Sequence, residues 1–175
     1  MLGKPVKIRG GRKTPVTKNA EIHSLFELFS AVARRTTHPE YRKIAHFIKK
    51  PITQRSVMTM KNLVKYTAPC QDKLAVVVAK IVGDDSVVEL SWPIRVACLG
   101  ISQKAKEKIE KFGGQVYKLD EIFKVAPTPS DMVIFQAPQK IRKQYQYFGA
   151  ASNSANPARP RVISKGSEKR KRRTQ

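Results

Sequence analysis

The run LAVVVAKIV at residues 74–82 constrains the fold more than any other stretch of the chain. It is nearly continuous Ala, Val and Ile, the pattern of a β-strand buried on both faces rather than on one. Other elements must therefore pack above and below it. With 175 residues the chain can bury one real core but hardly two independent ones.

Helical periodicity precedes that run. Asn19 is a good N-cap, and Ile22, Leu25, Phe26, Phe29, Val32 and Ala33 follow at helical spacing, which predicts a helix to about Arg35. Pro39 at a first-turn position announces a second helix that places Tyr41, Ile44, Ala45 and Ile48 on one face and ends at Pro51. Thr59 is an N-cap for a short helix reaching Lys65. After the 74–82 strand, Gly83-Asp84-Asp85 supplies a turn, and Val87 to Leu90 and Ile94 to Ile101 read as two further strands. Ser102 caps a helix with Ala105, Ile109 and Phe112 inward and Lys104, Lys106, Lys108 and Lys111 outward, stopped by Gly113-Gly114. Gln115 to Lys118 returns as a strand, Asp120 opens a short helix, and Asp131 to Gln136 is a last strand before a basic helix ending near Gly149. No short internal repeat suggests a solenoid. The expected class is α/β.

Charge restricts the partner. Lys and Arg number 35 against 13 Asp and Glu, a formal net charge of +22, and such a chain repels itself unless a polyanion supplies the counter-charge. The excess is uneven: residues 1–55 hold 13 bases and 3 acids, residues 56–150 hold 14 and 9, and residues 151–175 hold 8 and 1. The first 18 residues, with Lys4, Lys7, Arg9, Arg12, Lys13 and Lys18 and no acid, are broken by Pro5, Gly10, Gly11 and Pro15. They are expected to be extended, ordering only against an anionic partner. The tail, from Arg159-Pro160-Arg161 through Lys165 to Lys169-Arg170-Lys171-Arg172-Arg173, has the same character. The expected organisation is a basic arm (1–18), a core (19–150) with a helical region (19–66) and an α/β part (72–149), and a basic tail (151–175).

The second helix adds a sharper signal. Opposite its apolar face lie Arg42, Lys43, Lys49 and Lys50, with His46 among them, and no acid after Glu40 relieves the repulsion. A merely solvated helix face normally mixes Glu with Lys for i,i+4 support, so this stripe reads as a phosphate-facing surface.

No constellation for catalysis accompanies it. The three histidines, His23, His38 and His46, have no carboxylate at HExxH-like spacing, and GxSxG, GxxxxGK[ST] and GxGxxG are absent. Asp84-Asp85 is what a tight turn ordinarily uses. Gly113-Gly114-Gln115 matches the catalytic tripeptide of peptide-chain release factors, but here it joins a helix directly to a strand, where glycine's tolerance of positive φ accounts for it. Cys70 and Cys98 stand alone, which predicts reduced thiols and no structural zinc. No apolar run approaches the 18 or more residues of a membrane span, and Met1 to Ala20 lacks a signal-peptide pattern, so an intracellular protein is expected. Aromatic residues do not form a base-stacking strand pattern. Recognition of folded RNA through backbone and shape is expected instead.

Several stretches together resemble one family. Ala33-Arg34-Arg35-Thr36, the segment AVVVAKIVGDD at 75–85, Gly113-Gly114 through Leu119-Asp120, Ala126-Pro127-Thr128, and VISKG at 162–166 occur in order. The series resembles large-subunit ribosomal protein eighteen of eukaryotes, its archaeal counterpart and, more distantly, bacterial large-subunit protein fifteen. It covers most of residues 19–149 and, more weakly, both ends, where the departures lie. The resemblance implies an irregular superhelix of short strands and helices, a helical region and tail bound to ribosomal RNA, and no cofactor, metal or catalytic residue.

Charge and resemblance together lead to a structural constituent of the large ribosomal subunit, bound to its RNA and to neighbouring ribosomal proteins, with no membrane and no small-molecule substrate. The expected location is the cytosolic ribosome after passage through the nucleus and nucleolus. The expected RNA contacts of the core are Arg34, Arg35, Arg42, Lys43, Lys49, Lys50 and Arg55. Those of the ends are Lys4, Lys7, Arg9, Arg12, Lys13, Arg159, Arg161, Lys165, Lys169, Arg170, Lys171, Arg172 and Arg173. The alternative reading is a nuclear, chromatin-associated nucleic-acid binder, since Lys169 to Arg173 could serve as an import signal.

Overall fold

The computed structural model describes residues 12–36 and 38–139. In chain order the elements begin with helices α1 (Ala20–Arg35) and α2 (Pro39–Ile48), strand β1 (Met58–Thr59) and helix α3 (Met60–Thr67). Strands β2 (Leu74–Val82) and β3 (Arg95–Ile101) follow, then helix α4 (Gln103–Lys111), strand β4 (Gln115–Lys118), helix α5 (Ile122–Val125) and strand β5 (Met132–Phe135). The chain divides into two units, residues 1–137 and 138–175. Of the second, only Pro138 and Gln139 are described, so the basic helix expected near Gly149 and the basic tail lie outside the described residues.

The expected α/β class is the one found, organised as a five-stranded sheet in which every pairing is parallel. β2 is its centre. One edge of β2 pairs with β3, and the other is shared by two short strands, β5 against Leu74–Val77 and β1 against Ile81–Val82. β4 lies outside β3.

Alternation along β2 sorts its side chains into two cores. Ala75, Val77, Ala79 and Ile81 join Leu63 of α3, Val96 of β3, and Ala105 and Ile109 of α4. Leu74, Val76 and Val78 join Phe29 of α1, Ile44 and Ile48 of α2, and Ile122 of α5. A strand apolar on both sides needs cover on both, and helices supply it on each face. Each fully buried Ile or Leu here contributes about 1.5–3 kcal/mol relative to exposure. On the α1–α2 side Phe123 ties the layers together, its ring 5.4 Å from Phe29 and 5.8 Å from Tyr41.

The local signals act as expected at several ends. The Asn19 side chain accepts from the Glu21 N–H at 2.9 Å, Pro39 occupies the first turn of α2, and Thr59 accepts from the Asn62 N–H at 3.4 Å. Asp84 closes the turn after β2, its Oδ1 accepting from the backbone N–H and the hydroxyl of Ser86 at 3.0 and 2.6 Å.

Four expectations need correction. Val87–Leu90 is not a strand: β2 and β3 are adjacent and parallel, so the chain between them must travel back along the sheet, and Leu90 and Val87 pack on the α3–α4 core instead. Lys108 does not point outward but donates to the carbonyls of Asp84 and Val87 in that connection, the former at 3.2 Å. Ser102 stands at the N-cap of α4, yet its hydroxyl accepts from the Gly83 N–H at 3.1 Å rather than from its own helix. Finally, residues 12–18 carry no helix or strand, as an arm would, but Pro15 is buried and the Thr17 carbonyl accepts from His23 Nε2 on α1 at 2.7 Å. The end of the arm is therefore tied to the first turns of α1. β1 was not anticipated; two residues are too few for a period to register.

The two glycines after α4 divide the work between them. Gly113 adopts φ 77°, the left-handed conformation that ends the helix. Gly114 is required by proximity: a Cβ there would lie 2.5 Å from the Ile94 carbonyl oxygen and 2.6 Å from Ile109 Cγ2. The Gly-Gly-Gln tripeptide is thus a packed joint.

Candidate nucleic-acid interface

The site is built on α2. Tyr41, Ile44, Ala45 and Ile48 are buried against β2 and α1, which leaves Arg42, Lys43 and His46 exposed and Lys49 and Lys50 half-buried at the C-terminal end. At about 1.5 Å per residue, the stretch from Arg42 to Lys50 spreads these groups over roughly 12 Å. Arg34 and Arg35 are exposed in the last turn of α1, next to the short connection into α2. Among the described residues the single ion pair is Lys106–Glu110 on α4, at 3.7 Å. No cation of the α2 region has a carboxylate partner among the described residues.

Within this cluster the groups are not equivalent. Desolvation, and then the ammonium groups of Lys50 and Lys49, lower the His46 imidazole from its ordinary range and so favour its uncharged form. Lys50 lies with Nζ 4.5 Å from the Phe47 ring centroid, a cation–π contact that narrows where the ammonium can be. Arg55, expected to be an RNA contact, is turned inward: its Nε donates to the Lys50 carbonyl at 2.9 Å and its Nη2 to the Ile48 carbonyl at 2.5 Å. Burial draws its pKa down. The Ile48 carbonyl is the last of α2, where the helix offers no amide donor of its own, and the Lys50 carbonyl lies just beyond the cap residue Lys49.

Arg12 and Lys13 are exposed ahead of the buried Pro15. Lys4, Lys7, Arg9, Arg159, Arg161, Lys165, Lys169, Arg170, Lys171, Arg172 and Arg173 lie outside the described residues. The structure adds two cations on the opposite side of the sheet, Lys61 and Lys65, exposed at i,i+4 on α3. The reasoning applied to α2, cations at helical spacing with no acid between them, would have found them.

The arrangement supplies point charges and a rigid carrier, which suits phosphates. Among the described residues no three His, Cys, Asp or Glu side chains cluster in a way that could hold a metal ion, and no helix is long and apolar enough to cross a membrane. Cys98 is buried and Cys70 half-buried, and both are free thiols.

Comparison with known proteins places these features in context. The family model described as ribosomal protein 60S L18 and 50S L18e matches residues 4–175. The large ribosomal subunit protein eL18 of Aedes aegypti is 30% identical over 170 residues, covering 93% of this chain and 87% of that protein. The protein of the same name from Theileria parva is 27% identical over 156 residues, covering 89% and 83% respectively.

Proposed function

This chain belongs to the family of ribosomal protein 60S L18 and 50S L18e, and we propose that it fixes folded ribosomal RNA through the cationic face of α2 together with Arg34 and Arg35. Its family membership makes it a structural constituent of the large ribosomal subunit. The observation that carries the RNA reading is the division of α2: one face is buried in the core, while the other carries Arg42 and Lys43, exposed and without a carboxylate partner among the described residues. A helix so packed presents a backbone already ordered when phosphate arrives, so the ordering left to binding is that of the exposed side chains.

The arm, with Lys4, Lys7, Arg9, Arg12 and Lys13, and the tail, with Arg159, Arg161, Lys165 and Lys169 to Arg173, are assigned the same role on composition. Neighbouring ribosomal proteins are the further partners. The role is non-catalytic, and the location is the cytosolic ribosome, reached through the nucleolus during assembly. Neither the family nor the relatives favour a chromatin-bound alternative.

The test replaces Arg42, Lys43, Lys49 and Lys50 together by Gln and follows incorporation into large subunits on sucrose gradients. Gln keeps helix propensity and relieves like-charge repulsion, so the variant should fold at least as stably while its incorporation falls. Normal incorporation at physiological salt would reduce the stripe to a solvated face.

A further inference from the structure

We propose that Arg55 is a positioning residue for the α2 interface: its guanidinium bridges the Ile48 and Lys50 carbonyls, offsets the negative end of the helix, and holds Lys50 where a phosphate can meet it. The inference rests on the reading that α2 binds RNA.

The argument begins at the helix terminus. The last carbonyls of a helix have no intrahelical donor and carry a partial negative charge of roughly half an electron. In α2 that end coincides with Lys49 and Lys50, so an approaching phosphate meets repelling carbonyl dipoles beside attracting ammonium groups. The chain then reverses. Pro51 is extended, one 3-10 turn spans Ile52–Gln54, and Arg55 follows facing the helix it has just left. Its Nε reaches the Lys50 carbonyl at 2.9 Å and its Nη2 the Ile48 carbonyl at 2.5 Å.

Two consequences separate Arg55 from Arg42 and Lys43. Its positive charge lies against the carbonyls that would oppose an anion, so the interface keeps its cationic character to the end of the helix. Its bond to the Lys50 carbonyl also fixes the backbone from which the Lys50 side chain extends over Phe47, 4.5 Å from ring centroid to Nζ. A planar fork can span two carbonyls, which a single ammonium cannot do in the same geometry.

The test uses the full chain and deproteinised large-subunit ribosomal RNA, with Arg55→Met, Arg55→Lys and, as a reference for direct contact, Lys43→Gln. Both Arg55 variants should bind about tenfold more weakly, a loss typical of one charge-assisted hydrogen bond, with the slope of log K against log salt unchanged. The His46 imidazole, followed by NMR, should titrate closer to its ordinary range once Lys50 is released, a shift that a purely structural role would not produce. A slope shallower by about 0.9 in Arg55→Met, restored in Arg55→Lys, would make Arg55 a direct phosphate contact and overturn the proposal. Wild-type affinity in both variants would overturn it too. Should Arg55→Met fail to fold, Arg55→Lys decides alone: a tenfold loss at unchanged slope upholds the proposal, and wild-type binding ends it. Wild-type binding by Lys43→Gln would instead count against the α2 reading beneath it.

Discussion

Lys108 on α4 donates from its ammonium to the backbone carbonyl of Asp84, 3.2 Å away, and also to that of Val87. The two residues belong to different layers of local order: one sits on a regular helix, the other opens the irregular connection from β2 to β3. The bond explains how a segment with no ladder partner is held against the sheet. Replacing Lys108 by Met keeps most of the stem and removes the donor, which should cost about 1 kcal/mol in urea unfolding. Amide exchange should quicken across residues 84–90 and stay unchanged in α2. Unaltered exchange in that segment would show that Val87 and Leu90 hold the connection by packing alone.

The two glycines after α4 should respond differently to alanine. Gly113→Ala meets no atom and only forces an L-residue to φ 77°, a cost of about 1–2 kcal/mol. Gly114→Ala drives a methyl group to 2.5 Å from the Ile94 carbonyl oxygen and must displace backbone, so its penalty should exceed that of Gly113→Ala, at roughly 3 kcal/mol or more. Chemical denaturation of the two variants checks the order. Equal costs would mean that the strand entry yields easily.

The buried side of α2 should carry stability and not RNA affinity. Ile44 and Ile48 are both 0% exposed, so truncation of either to Ala should cost about 2–5 kcal/mol in thermal or chemical unfolding. At a temperature where the variants remain folded, their affinity for ribosomal RNA should match the parent protein. A matching loss of affinity in folded Ile44→Ala would show that the two faces of α2 are not separable.

Cys98 provides a pH-dependent observable. Burial pushes its thiol up to about 11, against a smaller opposing pull from the Gly100 backbone hydrogen bond. In the unfolded chain the thiol ionises near its ordinary value of 9.0, so between there and about 11 the unfolded state has lost a proton that the native state retains. Stability should therefore fall as pH rises through that window, with the contribution of this group fully present below it. At pH 8 a thiol reagent should modify the half-buried Cys70 first and leave Cys98 in native protein unreacted. Equal reaction rates would contradict the burial of Cys98.

Salt should control the RNA affinity of the whole chain. A binder held by on the order of 8 phosphate contacts should show a slope of log K against log salt of about −6 to −7. Filter binding or anisotropy at a series of salt concentrations measures it directly. A nearly flat dependence would place base or apolar contacts, rather than the cations of α2 and the basic ends, at the centre of recognition.

The elements that could be read from the residues are those whose signals are local. The 74–82 run became the central strand because apolar residues on both faces leave it nowhere else to be buried. Asn19, Pro39 and Thr59 started their helices because each satisfies or removes orphan backbone donors within one turn. The failures share a different cause. Val87–Leu90 has strand-like residues, but whether it pairs depends on what already occupies the edges of β2, and β3, β5 and β1 occupy both. The inward turn of Lys108 could not be read for the same reason, since its acceptors lie 21 and 24 residues away in sequence.

The candidate site divides in the same way. That α2 has a cationic face and an apolar one was legible at helical spacing, because the period alone sorts Arg42 and Lys43 from Ile44 and Ile48. Spacing cannot distinguish Arg55 from them, since its position beyond Pro51 says nothing of direction. Only the folded chain turns its guanidinium back onto the end of α2, because the reversal through residues 51–54 brings it to the carbonyls of Ile48 and Lys50 only once the tertiary structure has formed. Charge and class thus belong to the sequence by itself, whereas which cations face the solvent and which brace the scaffold is decided by three-dimensional proximity.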